Sequence, residues 1–219
     1  MIRGSAAAVV GLAALMLAGC APAHVFAGPL PSASPTDLQP GLLTGGDLPP
    51  GYIRIASVTN ADGAVSIDGG DFPGCPALEP MTTERTTAAA VTYSRGIAGP
   101  YLTHALVRFP PGEAAASMTR LAETATSCHR FTQNLAGVTV TFTVESLPAP
   151  PGLADQAVAL RMTGTTNVDL SVNAETVALR RGDLVVWLTD MSIGPTPPGI
   201  AVSLAEAATD RCRQALPGC

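Results

Sequence analysis

Residues 137–147, GVTVTFTVESL, alternate strictly, with Val138, Val140, Phe142 and Val144 on one side and Thr139, Thr141 and Thr143 on the other. Successive side chains of a strand point to opposite faces, so this pattern describes a strand with one face in a core and one toward water. Half-solvated strands belong to antiparallel sheets, because parallel sheets are covered on both faces and read as unbroken apolar runs.

Other segments fit the same sheet. TTAAAVTYSR and YLTHALVRF are two β-compatible runs joined by Gly96-Ile97-Ala98-Gly99-Pro100, a hairpin pattern. QAVALRM sets Val158, Leu160 and Met162 on one face, and VDLSVNAETVALRR followed by Gly182-Asp183 and LVVWLTDM reads as a tight hairpin. Trp187 lies in that last apolar strand and is expected in the core. The strand-like YIRIASV follows the apolar anchor and turn LLTGGDLPPGY, and a turn-rich stretch leads on to Cys75.

Two segments have helical period instead. After Pro110-Pro111-Gly112-Glu113, a pattern suited to a first turn, Ala115, Met118, Leu121, Ala122, Ala125 and Cys128 recur at intervals of three or four, while Arg120, Glu123 and Thr124 face elsewhere. A second stripe runs through Ile200, Leu204, Ala207, Ala208, Arg211 or Cys212, and Ala215, and Pro217-Gly218 stops it. The order of strands, helix, strands, helix predicts an α+β fold: an antiparallel β-sheet with two main helices packed on one face.

The N-terminus sets the compartment. Arg3 precedes an apolar run from Ala6 to Leu17, the length of a signal-peptide core and too short for a bilayer span of roughly 20 residues. Leu17-Ala18-Gly19-Cys20 resembles the bacterial lipobox, which implies a lipoprotein signal peptide over 1–19 and lipid attachment at Cys20. Acyl chains of the palmitate class at that position would hold the chain on the outer face of a cell membrane. Ala21 to Gly41 carries five prolines among Ala, Gly and Ser and reads as a disordered tether over 20–41. A single extracytoplasmic domain is expected over 42–219. His24, in the tether, is given no role.

Beyond Cys20, the even set Cys75, Cys128, Cys212 and Cys219 in an exported chain predicts disulfides. Three pairings are possible, and Cys75 with Cys128 and Cys212 with Cys219 are favoured. Closing the longer loop contributes about 4 kcal/mol and the shorter about 2.5 in the chain-entropy view. No Cys-x-x-Cys and no His clustering supplies metal-ligand spacing, so neither metal nor cofactor is expected.

Composition excludes further classes. All 12 basic residues are Arg and the net charge is −5, a poor match to a phosphate backbone, so nucleic acid is not a partner. Neither Gly-x-Ser-x-Gly nor His-Glu-x-x-His occurs. His104 sits within a strand and His129 at a helix end, both read as structural. Asp155, Glu175, Asp183 and Asp190 have no spacing that marks an acid–base pair, and no catalytic residue is assigned.

The lipobox, the tether, LLTGGDLPPGY, the Cys-Pro of FPGCPAL, VRFPPGEAAASMTRLAETATSC and the closing helix together resemble actinobacterial envelope lipoproteins of the sensor-domain type, which in turn are similar to the extracellular domain of the mycobacterial Ser/Thr kinase H. The likeness spreads over most of residues 42–216. It implies an antiparallel sheet with packed helices, two disulfides, a cleft for an unidentified ligand, and no catalytic residues. The implied partners are the membrane, through Cys20, and a small molecule, lipid or envelope protein.

Overall fold

The computed structural model describes residues 35–59, 75, 86–135, 138–194 and 199–219. Cys20, the signal segment, His24, the first part of the tether and the turn-rich residues around Cys75 lie outside them.

Eight antiparallel strands form one sheet: β1 (Ile53–Thr59), β2 (Thr87–Ser94), β3 (Tyr101–Arg108), β4 (Arg130–Leu135), β5 (Val138–Leu147), β6 (Gln156–Thr166), β7 (Ser171–Arg181) and β8 (Leu184–Ile193). Their spatial order is β1-β2-β3-β8-β7-β6-β5-β4. The first three run as a meander. Helix α1 (Glu113–Ser127) then carries the chain to the far edge, and β4 to β8 return strand by strand until β8 pairs with β3; helix α2 (Ala201–Ala215) follows.

β5 behaves as its alternation predicts, with Val140, Phe142 and Val144 buried. Its neighbour β4 carries one core aromatic, Phe131, which lies opposite Phe142 and stacks on it with ring centroids 5.1 Å apart. The β7–β8 hairpin closes through Gly182-Asp183, with Arg181 opposite Leu184 and Gly182 at φ 57°, a left-handed position that suits glycine. Trp187 is core, and its indole N–H donates to the Thr189 hydroxyl at 2.9 Å.

The two helices cover opposite faces of the sheet, not one shared face. β7 and β8 are apolar on both sides: Val177, Leu179, Val186 and Leu188 pack into one core with α2, while Ala178, Val185 and Trp187 pack into the other with α1. Central strands buried on both faces need a cover on each. The stripe of α1 is also rotated from the expected one. Ala114, Ser117, Met118, Leu121 and Thr124 are buried and Ala122 is exposed, because alanine is apolar enough to mark a stripe yet too small to decide which face is inside.

The folded part begins before Leu42. Pro35–Gly41 forms a 3-10 helix whose Leu38 is fully buried, so the tether of 20–41 gives way to ordered chain by residue 35. Proline-rich composition conceals this because one leucine supplies the anchor. The compact unit covers Ala33–Cys219. Both cysteine pairs are joined: Cys75 to Cys128, with Cα atoms 5.3 Å apart, and Cys212 to Cys219, 5.7 Å apart.

Candidate functional site

The N-terminal segment crosses the α2 face as a strap held by four buried leucines, Leu38, Leu42, Leu43 and Leu48. Both backbone groups of Leu43 are bound from the sheet: its N–H donates to His104 Nδ1 at 2.9 Å, and its carbonyl accepts from the Tyr93 hydroxyl at 2.8 Å. Gly41 lets the strap approach closely, since a Cβ there would lie 2.6 Å from Leu216 Cδ1 and 2.8 Å from Leu106 Cδ1. Past Leu43 the chain turns on a capping box, in which one Asp47 carboxylate oxygen accepts from both the backbone N–H and the hydroxyl of Thr44, each at 2.7 Å.

Between this strap and the β1–β2 ribbon lies a groove of about 340 Å³, walled by Leu42, Leu43, Tyr52, Arg54, Tyr93 and Arg211. The β1–β2 register sets Arg54 opposite Tyr93, and α2 brings in Arg211. Neither arginine joins an ion pair among the described residues, whereas Arg161, Arg180 and Arg213 all do. Burial raises the Tyr93 hydroxyl above its ordinary range, and the charges of Arg54 and Arg211 both oppose that rise. Burial also pushes the Asp47 carboxyl upward, but the hydrogen bonds from Thr44 and the positive field of Arg211 leave it lowered overall. Two residues of the groove wall have a buried donor without a hydrogen-bond partner among the described residues, Arg211 at Nε and Tyr52 at its hydroxyl; the latter is pushed up to about 12 by burial and by the charge of Asp190, whose Oδ1 is likewise unpartnered. An unpaired buried donor costs about 1–3 kcal/mol, so the groove's polar groups are incompletely satisfied by the protein itself.

His104 is structural, as its place in a strand suggests. It is fully buried, and burial pushes its imidazole down to about 3, so it stays neutral and accepts from Leu43. His129 is exposed. Asp155 and Asp183 are turn residues: Asp155 accepts from Gly182 N–H at 2.9 Å, and Asp183 from Gly112 N–H at 2.8 Å.

Glu175 and Asp190 differ from these. The β7–β8 register makes them cross-strand partners, both buried, a juxtaposition that their 15-residue separation in sequence does not reveal. They meet the start of α2, where Asp190 Oδ2 accepts from Ile200 N–H at 3.2 Å and Glu175 Oε1 from Val202 N–H at 3.3 Å. Arg161 lies 3.5 Å from Glu175. Burial, and then the charge of Glu175, raises the Asp190 carboxyl. Paired carboxylates with one raised member are a pattern of acid–base chemistry, but this pair is engaged in satisfying helix N–H groups. Gly199 also packs directly against it, with room for no Cβ: one would lie 2.5 Å from Glu175 Cδ.

On the other face, Ile53, Ile55, Ile97 and Tyr101 line a shallower, more apolar hollow of about 380 Å³ at the β1 edge. Among the described residues no group of His, Cys, Asp and Glu is arranged to hold a metal, and no helix is long and apolar enough to cross a membrane.

No family profile and no curated protein matches this chain by sequence. Its fold is that of the extracellular domain of PknH from Mycobacterium tuberculosis, with a TM-score of 0.62 over 83% of this chain and 97% of that one at 15% identity. An Rv0999 ortholog from Mycobacterium smegmatis is similar at TM-score 0.46 and 14% identity, over 77% of this chain and 92% of that one.

Proposed function

We propose, taking the fold shared with the PknH extracellular domain as premise, that this chain is an extracytoplasmic lipoprotein anchored through Cys20, with a non-catalytic, sensor-like domain that binds a ligand in the groove beneath its N-terminal strap. The observation that carries the reading is the groove itself: a preformed recess walled by Arg54 and Arg211, with the Nε of Arg211 buried and without a hydrogen-bond partner among the described residues. Ligand sites are commonly preformed recesses with a few placed polar groups. The two disulfides support an oxidising compartment. The strap supports coupling to the anchor, because it joins the groove wall directly to the segment that leads back to Cys20. Interaction with an envelope protein is a second reading, favoured by the apolar edge of β1, where Ile53 is 67% and Ile55 52% exposed.

Two measurements test the reading. Clickable fatty-acid labelling should tag the wild-type chain and fail on Cys20→Ser, and equal labelling of both would reject the anchor. Thermal melts against fractionated envelope extract should show a fraction that stabilises the wild type but not Ser57→Trp, which fills the groove from an exposed strand position. Stabilisation of both alike would place binding elsewhere.

A further inference from the structure

The charge of the groove constrains its ligand. The chain as a whole is acidic, with net charge −5, yet this recess is walled by two guanidinium groups, on β1 and α2, that have no carboxylate within ion-pair distance among the described residues. The nearby Asp47 carboxylate, whose charge is felt at Tyr93 and Arg211, accepts from Thr44 through one oxygen and does not line the recess. What the wall offers is therefore the donors of Arg54 and Arg211, the latter with a buried Nε that has no partner among the described residues. One of its acceptors, the Leu43 carbonyl, is taken by Tyr93. The rest of the wall is mixed, with Pro40, Leu42, Leu43 and Val91 apolar and Gln39, Thr44 and Ser57 polar.

We propose that the groove binds a small amphipathic oxyanion, a phosphate or carboxylate group joined to a compact apolar body, with Arg54 and Arg211 as the two forks that hold the anion. The inference rests on the groove being the ligand site. A guanidinium presents parallel N–H donors matched to the oxygens of either group, and charge-assisted bonds of this kind are the strong ones. An oxyanion also supplies an acceptor to Arg211, whose buried Nε has no partner among the described residues. A cationic ligand would meet two positive charges, and a neutral one would accept without charge assistance. The anion could arrive free in the envelope or as the headgroup of a lipid in the membrane that carries the anchor, and the chemistry of recognition is the same for both.

The test uses the full-length protein with arginine side-chain Nε–Hε resonances as reporters, and three probes of similar size: phenyl phosphate, benzoate and neutral benzyl alcohol. The expected result is saturable movement of the Arg54 and Arg211 signals by the two anions, weakened by salt, with benzyl alcohol at least tenfold weaker. Arg54→Ala and Arg211→Ala should each weaken phenyl phosphate about tenfold, the loss of one charged hydrogen-bonding group. Should Arg211→Ala fold poorly, Arg54→Ala, at an exposed edge position, carries the test alone. Equal binding of benzyl alcohol and the anions would overturn the oxyanion assignment while keeping the groove as a site. Groove signals that no probe moves would overturn both. Liposomes with and without phosphatidic acid separate the sources: arginine-dependent sedimentation with the acidic lipid assigns a headgroup, and binding of soluble probes alone assigns a free anion.

Discussion

The backbone N–H of Leu43 donates to Nδ1 of His104 across 61 residues of sequence, at 2.9 Å and out of contact with water. This bond fixes the strap over the sheet and sets one wall of the groove. Because it needs a neutral imidazole with an open lone pair, it links the shape of the groove to the protonation of a core histidine.

The first prediction concerns acid. His104 in the folded chain is pushed down to about 3, whereas in the unfolded chain it titrates near 6.5. Between those values the unfolded chain takes a proton that the folded chain refuses, so stability falls as pH drops through the window. His104→Asn keeps an acceptor for Leu43 and should flatten that part of the pH–stability curve in urea melts. His104→Leu removes the acceptor and should cost about 1–3 kcal/mol at neutral pH. Unchanged acid sensitivity in the Asn variant would exclude His104 as its source.

Asp190 should act with the opposite sign. Its carboxyl is raised in the folded chain by burial and by Glu175, so the folded state holds a proton that the unfolded state releases above 3.8. Stability from this group therefore declines as pH rises from the unfolded value through the folded one. Asp190→Asn retains an oxygen for Ile200 N–H and should make the protein more stable at neutral pH, with a shallower slope above pH 4. A loss of stability at neutral pH would mean that the ionised pair is needed to start α2.

Packing gives a sharper contrast on α1. Leu121 is 3% exposed and Arg120 beside it faces water. Leu121→Asp should unfold the domain, since an unpaired buried carboxylate costs several kcal/mol against a total of about 5 to 15. Arg120→Ala should melt within about half a kcal/mol of wild type. Equal melting of the two variants would reject the assigned face.

How much of this was legible follows from the range of each signal. Period-two alternation is local, so β5 and the β2–β3 and β7–β8 hairpins are readable, and an even cysteine count predicts disulfides without fixing which of three pairings forms. β4 is not, because Arg130, Thr132, Gln133 and Asn134 break any run of apolar residues around Phe131. Helical stripes report that a side is buried but not which face of the sheet receives it, and this is why α1 and α2 were placed together when they lie apart. The site was largely hidden. Glu175 meets Asp190 through strand register, and Arg54 and Arg211 share a groove only because a strap anchored by Leu38 crosses between distant elements.

The cross-links should be visible chemically. Peptide mapping without reduction should recover Cys75 joined to Cys128 and Cys212 joined to Cys219. Removing the longer cross-link alone with Cys75→Ser and Cys128→Ser should lower stability by about 2 to 4 kcal/mol while the β signal in far-UV circular dichroism persists. A Cys75–Cys212 peptide would contradict the pairing of Cys75 with Cys128 at the end of α1.

The central claim is that the groove under the strap holds a ligand. Native mass spectrometry of the protein purified from its own envelope tests this most directly, with wild type and Ser57→Trp compared side by side. A defined added mass on the wild type that is absent from the filled variant is the predicted result. Identical spectra, with the same adduct on both or none on either, would contradict it.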